Sequence, residues 1–407
     1  MSIFRIFMAI FICCVFEAIL VGMQFSEDVL KENTLASLTR GIELTDGIEF
    51  DVRTTLDDEL IVHHDKKLAV SEKLRGDLPK FVESNNQSDL MELGFPSLSE
   101  VIDNSKISTN LREHGKIMNI ELKLPHPSSG AGAGWLNSRK NIPYVSNMLS
   151  KCAELLEEAE IPKHSIIFYG FFKHMNYSAK KINFDWNVSS LFPNQLRFGT
   201  RKLNRVYASR EFVFRSLNSM IKIQKSRNSP ILPCGLEYFI PPYNGMRFDK
   251  KYGLSGKSLE RLLSLKKGFP IYVWPGLIEQ ESLLYDAGIS ILSDSVNSTE
   301  YSLPDGSARW IRHSTQPLDH EWSQKFKNTE SENHKGLVVE AIKEIAPWNE
   351  LNDVERKKFL EQWRKKWYWE KPLDDYFLDS SSNKLPWESV RVIGHRGCGS
   401  TSRPIFS

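Results

Sequence analysis

Glu49 and Asp51 stand two apart in the run Gly47-Ile-Glu-Phe-Asp-Val52. Positions two apart on an extended strand share a face, so both carboxylates point one way and Ile48, Phe50 and Val52 the other. Two acids turned inward together are costly unless a cation or a base faces them. Asn119-Ile-Glu-Leu-Lys123 repeats the spacing with an acid and a base, Glu121 and Lys123. Three carboxylates make an oxygen-rich set suited to a hard divalent ion, Mg2+ or Ca2+, and their number does not choose between the two. Taken singly, each acidic pair is equally explained by a solvated strand edge.

Ile61-Val-His-His-Asp65 ends an apolar burst with two adjacent histidines and an aspartate. Alternation sends His63 and His64 to opposite faces, so one of them can face a site. Near the C-terminus, Gly394-His-Arg-Gly397 follows the apolar run Val390-Arg-Val-Ile393. An imidazole and a guanidinium between glycines allow close backbone approach to an anion. Either motif alone would read as a turn or a structural hydrogen bond.

These residues need a scaffold, and the chain between about 25 and 300 supplies an alternating one. Thr34 can cap a helix whose apolar residues Leu35, Leu38 and Ile42 recur at helical spacing. Strand-like runs follow at 47–52, 60–62, 117–122, 165–169, 231–236, 270–274 and 288–292, with helical periodicity at 145–160 and 210–226 between them. Such alternation predicts parallel β/α architecture, a barrel or an open sheet. Residues 301–385 are charged, Trp-rich and without strand signals. There Asn352 and Glu355 can form a capping box, with Leu351, Val354, Leu360, Trp363 and Trp367 on one helix face.

The chain has 407 residues and a net charge of +2, which excludes a global basic field for nucleic acid; recognition of a polyanion would need a local basic patch. Residues 3–23 are almost wholly apolar, with Arg5 near the start and Glu17 inside, and read as a signal peptide or a membrane anchor within a leader of residues 1–24. Either reading places the protein in a secreted or membrane-anchored, extracytoplasmic setting. Asn-x-Ser/Thr triplets at Asn86, Asn176, Asn187 and Asn297 add modestly to it. Beyond the leader, Cys152, Cys234 and Cys398 are scattered and require no disulfide.

Taken in order, Glu32-Asn-Thr34, Asp46-Gly-Ile-Glu-Phe-Asp-Val-Arg-Thr54, His63-His-Asp65, Phe95-Pro-Ser-Leu-Ser-Glu-Val101 and Glu121-Leu-Lys123 resemble the glycerophosphodiester phosphodiesterases. Val273-Trp274 and Gly288-Ile-Ser-Ile-Leu-Ser-Asp-Ser295 resemble that family's last two strands, and the likeness is thin from 126 to 265. The longer-looped eukaryotic glycerophosphocholine phosphodiesterases are the nearest in pattern. One element is displaced: the His-Arg-Gly strand precedes Glu-Asn-Thr in the family, yet here it lies at 395–397. Joining 392–407 to 27–34 restores the family order. Either the barrel is circularly permuted, or 395–397 belongs to a further domain of a longer protein.

The resemblance implies a TIM (β/α)8 barrel of the phosphoinositide-phospholipase-C-like phosphodiesterase type. It implies a barrel body at 25–300, a helical segment at 301–385 and a displaced first strand at 386–407. The implied reaction converts glycerophosphodiesters to glycerol 3-phosphate and an alcohol such as choline. Glu49, Asp51 and Glu121 would hold the cation, Arg396 and Lys123 the phosphate, and His395 and His64 would exchange protons. Glu32 would orient Arg396 or a ligand, and His63 would be structural. Two rivals stand beside this: an inactive phosphate or headgroup binder, and a lysophospholipase D or phospholipase C on the same barrel, with a small glycerophosphodiester or a lysophospholipid as partner. Phe171, Phe172, Tyr238 and Phe239 are expected in the core rather than at a lipid-accepting mouth.

Overall fold

Thr34 starts the first helix as its sequence requires. Its hydroxyl accepts from Ser37 N at 3.2 Å while Thr34 N donates to Ser37 Oγ at 3.2 Å, and helix Leu35–Leu44 buries Leu38 and Ile42. The computed structural model describes residues 30–69, 77–134, 138–191, 216–240, 251–294, 300–380 and 383–400. The apolar leader and Asn297 lie outside the described residues. Among those described, no helix is long and apolar enough to cross a membrane.

The strands are β1 (Gly47–Thr54), β2 (Leu60–Val62), β3 (Ile117–Leu122), β4 (Ile166–Gly170), β5 (Val188–Ser190), β6 (Leu232–Gly235), β7 (Ile271–Gly276), β8 (Ser290–Ser293) and β9 (Val392–His395). They join in the order β5-β4-β3-β1-β9-β8-β7-β6. β2 stands off this path as an antiparallel partner of β1. The other strands form a nearly closed parallel barrel: the TIM architecture rather than an open sheet. Between β5 and β6 no ladder forms among the described residues. Side chains bridge the seam instead: Ser189 Oγ donates to Ile231 O at 3.1 Å and Gln224 Nε2 to Ser190 O at 2.6 Å. β5 is three residues long with two serines, too short and polar to stand out in the sequence.

β9 lies between β1 and β8, parallel to both, with Glu49 opposite His395 and Ser293 opposite Gly394. The last strand among the described residues thus fills the slot that a permuted order needs. Outward residues such as Phe50, Ile120, Leu232 and Val273 pack under the helices, while Ile117, Ile167, Ile231, Tyr272 and Ile393 fill the interior.

Residues 301–380 fold against the barrel. Helix Asp353–Trp367 carries the expected capping box and buries Leu360, Trp363 and Trp367. Val354 departs from the expectation at 79 % exposure. It precedes Trp363 by nine residues, about half a turn out of phase at 3.6 residues per turn. Trp363 stacks on Trp348 with ring centroids 5.7 Å apart, and Trp367 Nε1 donates to Tyr285 O at 3.1 Å, tying the segment to helix Ile278–Asp286. At the barrel floor, buried Asp46 accepts from Val392 N at 3.0 Å, Thr315 N at 3.1 Å and Thr315 Oγ1 at 2.8 Å.

Lys266 is fully buried beside this segment and donates to Gly288 O at 2.8 Å. Burial pulls its ammonium down to about 7, against the opposing charge of Glu388. From there to the ordinary value of 10.5, the unfolded chain holds a proton that the folded one lacks. Stability therefore rises with pH across that window and is flat below it. Lys266→Met is expected to reduce the rise in urea midpoint between about pH 7 and pH 9.5. An undiminished rise in the variant would contradict a neutral folded-state Lys266.

Candidate active site

The strand register builds the site. Glu49 and Asp51 point inward from β1, and Asp51 lies opposite Glu121 of β3. Carboxylate oxygens of Glu49, Asp51 and Glu121, all buried, lie within 4.8 Å of one another. Lys123 enters between two of them, 2.8 Å from Asp51 Oδ1 and 2.5 Å from Glu121 Oε1. Burial, and then Asp51 and Glu121, push Glu49 well above the usual carboxylate range. Burial also favours a neutral Asp51, but Lys123, His64 and Arg396 outweigh it and hold Asp51 well below that range.

β9 delivers the other half. The turn after it takes left-handed backbone at Arg396 (φ 52°), Gly397 (φ 69°) and Cys398 (φ 58°). A Cβ at Gly397 would sit 2.4 Å from Ser37 C, so only glycine lets the first helix pack here. Arg396 O accepts from Asn33 N at 3.2 Å and from Ser37 Oγ at 3.3 Å, which docks the Glu-Asn-Thr segment on the His-Arg-Gly turn. The guanidinium reaches Asp51 Oδ2 at 3.2 Å and Glu32 at 3.0 Å. Glu32 thus orients Arg396, and Asn33 Nδ2 donates to Asp51 Oδ2 at 2.9 Å.

Both expected histidines face this centre, each with Nδ1 tied to a carboxylate. His64 Nδ1 lies 2.7 Å from Asp65, and His395 Nδ1 is bonded to Asp294. His395 Nε2 lies 3.6 Å from Glu49. Burial lowers the pKa of His64 to about 4 and also lowers that of His395, which Asp294 partly offsets. His63 turns away, stacked on Phe95 at 4.2 Å and held neutral chiefly by burial.

All the expected residues converge. His64, Glu49, Glu121, Lys123, His395 and Arg396 line one cavity of about 690 Å³, with Asp51 and Glu32 bonded directly behind them. The aromatic expectation holds for Phe172, Tyr238 and Phe239, which are buried in the core, and fails for Phe171, which is exposed; Phe171 and the edge of Phe172 also line the cavity, because they follow β4 at the end where the site opens. Sequence reasoning missed Arg53, Glu83, Asp294 and Trp274. Arg53 continues the inward alternation of Glu49 and Asp51 and pairs with Glu83 at 2.7 Å, so its signal was present. Trp274 Nε1 lies 3.1 Å from His395 Nδ1, and nothing in the sequence joins these two residues.

Residues 23–162 match the model of the glycerophosphoryl diester phosphodiesterase family. No curated protein matches the chain. Among solved structures, a Thermotoga maritima glycerophosphodiester phosphodiesterase is similar at 19% identity over 62% of this chain and 82% of that one, with a TM-score of 0.35. An Oleispira antarctica phosphodiesterase in complex with the product sn-glycerol-3-phosphate is similar at 16% identity, over 66% and 89%, with a TM-score of 0.40. A Parabacteroides distasonis glycerophosphodiester phosphodiesterase follows at 16% identity, over 64% and 84%, with a TM-score of 0.38. Such distant likenesses say nothing of this chain's own chemistry. The residues matched by that family model, 23–162, include Glu49, Asp51, His64, Glu121 and Lys123.

Proposed function

We infer that this protein hydrolyses glycerophosphodiesters, releasing glycerol 3-phosphate and an alcohol. The observation that carries the reading is the convergence of three carboxylates, two cationic side chains and two carboxylate-tied imidazoles in one cavity. Their positions at the C-terminal ends of barrel strands match where such barrels keep their chemistry.

The residues fit a divalent cation. Glu49 Oε1 is buried and accepts no hydrogen bond, an unstable position for a carboxylate oxygen unless a positive ligand completes it. Glu49, Asp51 and Glu121 would hold the ion, Mg2+ or Ca2+. A bound ion supplies charge that polarises the phosphoryl oxygens. The chain's own groups do the rest. Arg396 offers paired donors to a phosphate and Lys123 a point charge. With Nδ1–H given to a carboxylate, each histidine presents Nε2 for proton transfer. One imidazole takes a proton from the attacking water as its oxygen bonds to phosphorus, and the other, entering the step as an imidazolium, gives its Nε2 proton to the leaving alcohol as that P–O bond breaks.

The test is release of glycerol 3-phosphate from glycerophosphocholine and glycerophosphoinositol by the full chain, with Mg2+, with Ca2+ and with chelator. Turnover that chelation abolishes and Glu121→Gln lowers by roughly a hundredfold or more is expected for loss of a cation ligand. A folded protein inert with both ions would leave the headgroup-binder reading in its place. Phe171 and Phe172 on the cavity wall favour a second reading, a lysophospholipase D. Choline release from lysophosphatidylcholine at a rate above that from glycerophosphocholine would establish it.

A further inference from the structure

Positive charge gathers on one side of the cavity mouth, in residues the reaction does not use. Lys66 follows the His64–Asp65 pair, and its side chain lines the cavity alongside Lys123 and Arg396. The chain then makes an isolated antiparallel bridge between Lys67 and Phe81. In it, Leu68 N donates to Lys80 O at 3.0 Å and Val82 N to Lys66 O at 3.3 Å. That pairing sets Lys80 beside the two adjacent lysines. Phe81 stacks on His126 with ring centroids 4.3 Å apart, which brings in a third segment.

Lys66, Lys67 and Lys80 are exposed, and among the described residues their side chains make no ion pair or hydrogen bond. Of the nearby carboxylates, Glu83 pairs through Oε1 with Arg53 at 2.7 Å and Asp65 with His64 at 2.7 Å. The pKa of His126 is lowered by slight burial and then by Lys67, Lys66, Lys80 and Arg53, all of them positive. A net charge of +2 over the whole chain gives no such field, so it is local to this rim.

We propose that this rim is a subsite for a second anionic group, a phosphomonoester carried on the alcohol half of the glycerophosphodiester. The proposal rests on the hydrolase reading above and deepens it. With the scissile phosphate on Arg396 and Lys123, the alcohol half extends toward Lys66. A phosphorylated polyol meets three cations there, whereas the quaternary ammonium of choline meets like charge. Water screens exposed lysines, so each contributes modestly and the three act together.

The test compares kcat/KM for glycerophosphoinositol 4-phosphate and glycerophosphocholine at low ionic strength, in the full chain and in a Lys66→Gln, Lys67→Gln, Lys80→Gln variant. The native chain is expected to favour the phosphorylated substrate, and the variant to lose about tenfold of that ratio. Added salt should shrink the native ratio and leave the variant's nearly unchanged. Calorimetric titration with inositol 1,4-bisphosphate reads the subsite without turnover, and its affinity should fall about tenfold in the variant. If neither diester is hydrolysed, the hydrolase reading fails and this titration alone decides the subsite. Equal ratios in both proteins, or a titration that the lysines do not affect, would overturn the proposal. So would lysine-dependent binding to phosphatidylcholine vesicles containing phosphatidylinositol 4-phosphate without binding of the soluble probe, which would mark a bilayer-docking face instead.

Discussion

Replacing His395 by alanine is expected to lower glycerophosphodiester turnover by roughly a hundred- to ten-thousand-fold, the span for losing one positioned acid or base. His395 is held on two sides: its Nδ1 is hydrogen-bonded to Asp294, and the register of β9 against β1 sets it opposite Glu49. The same substitution leaves Glu49, Asp51 and Glu121 in place, so cation binding measured by calorimetry should persist while turnover collapses. His395 is buried, and His395→Asn, which keeps a polar side chain of similar bulk, separates lost chemistry from lost packing. A folded, cation-binding asparagine variant with turnover reduced less than about tenfold would remove His395 from the proton-transfer role. Because His395 lies on the last strand, the same result reports whether β9 occupies its slot in solution.

The second large effect is on stability. Asp46→Ala is expected to cost about 3–5 kcal/mol, because it leaves three buried neutral donors without an acceptor at about 1–3 kcal/mol each. Asp46 is fully buried, and its two oxygens accept from Val392 N, Thr315 N and Thr315 Oγ1. It therefore clamps the start of β1 to β9 and to the appended segment at once. Arg391 supports the same floor by donating to Gly115 O at 2.9 Å. A loss of this size is a large fraction of the roughly 5–15 kcal/mol that holds a typical domain. Urea unfolding followed by tryptophan fluorescence checks it, since the Trp363 and Trp367 cluster belongs to the same appended segment. A cost below about 1 kcal/mol, the net value of one ordinary hydrogen bond, would show that the clamp is dispensable.

Local patterns in the sequence determined a good deal. Period-two alternation set Glu49 and Asp51 on one face and Ile48, Phe50 and Val52 on the other, because pleating leaves no other choice. Thr34 and Asn352 announced helix starts that the backbone then made, since capping is settled within one turn. The ordered motifs pointed to a family resemblance and to Glu49, Asp51, His64, Glu121, Lys123, His395 and Arg396, which the fold then gathers at one cavity. Tertiary structure decided what depends on pairing distant segments. Only the fold shows β9 seated between β1 and β8, because parallel pairing is chosen by the whole sheet and not by either strand. Only the fold joins His395 to Asp294 and Trp274, buries Arg53 against Glu83, and leaves Phe171 exposed at the cavity while Phe172, Tyr238 and Phe239 are buried. Val354 shows the limit of the local signal: an apolar residue near the right spacing still faces water when its phase on the helix is half a turn out. Lys66, Lys67 and Lys80 show it from the other side. Their charges were plain in the sequence, but the bridge that gathers them at one rim forms only between segments the fold brings together.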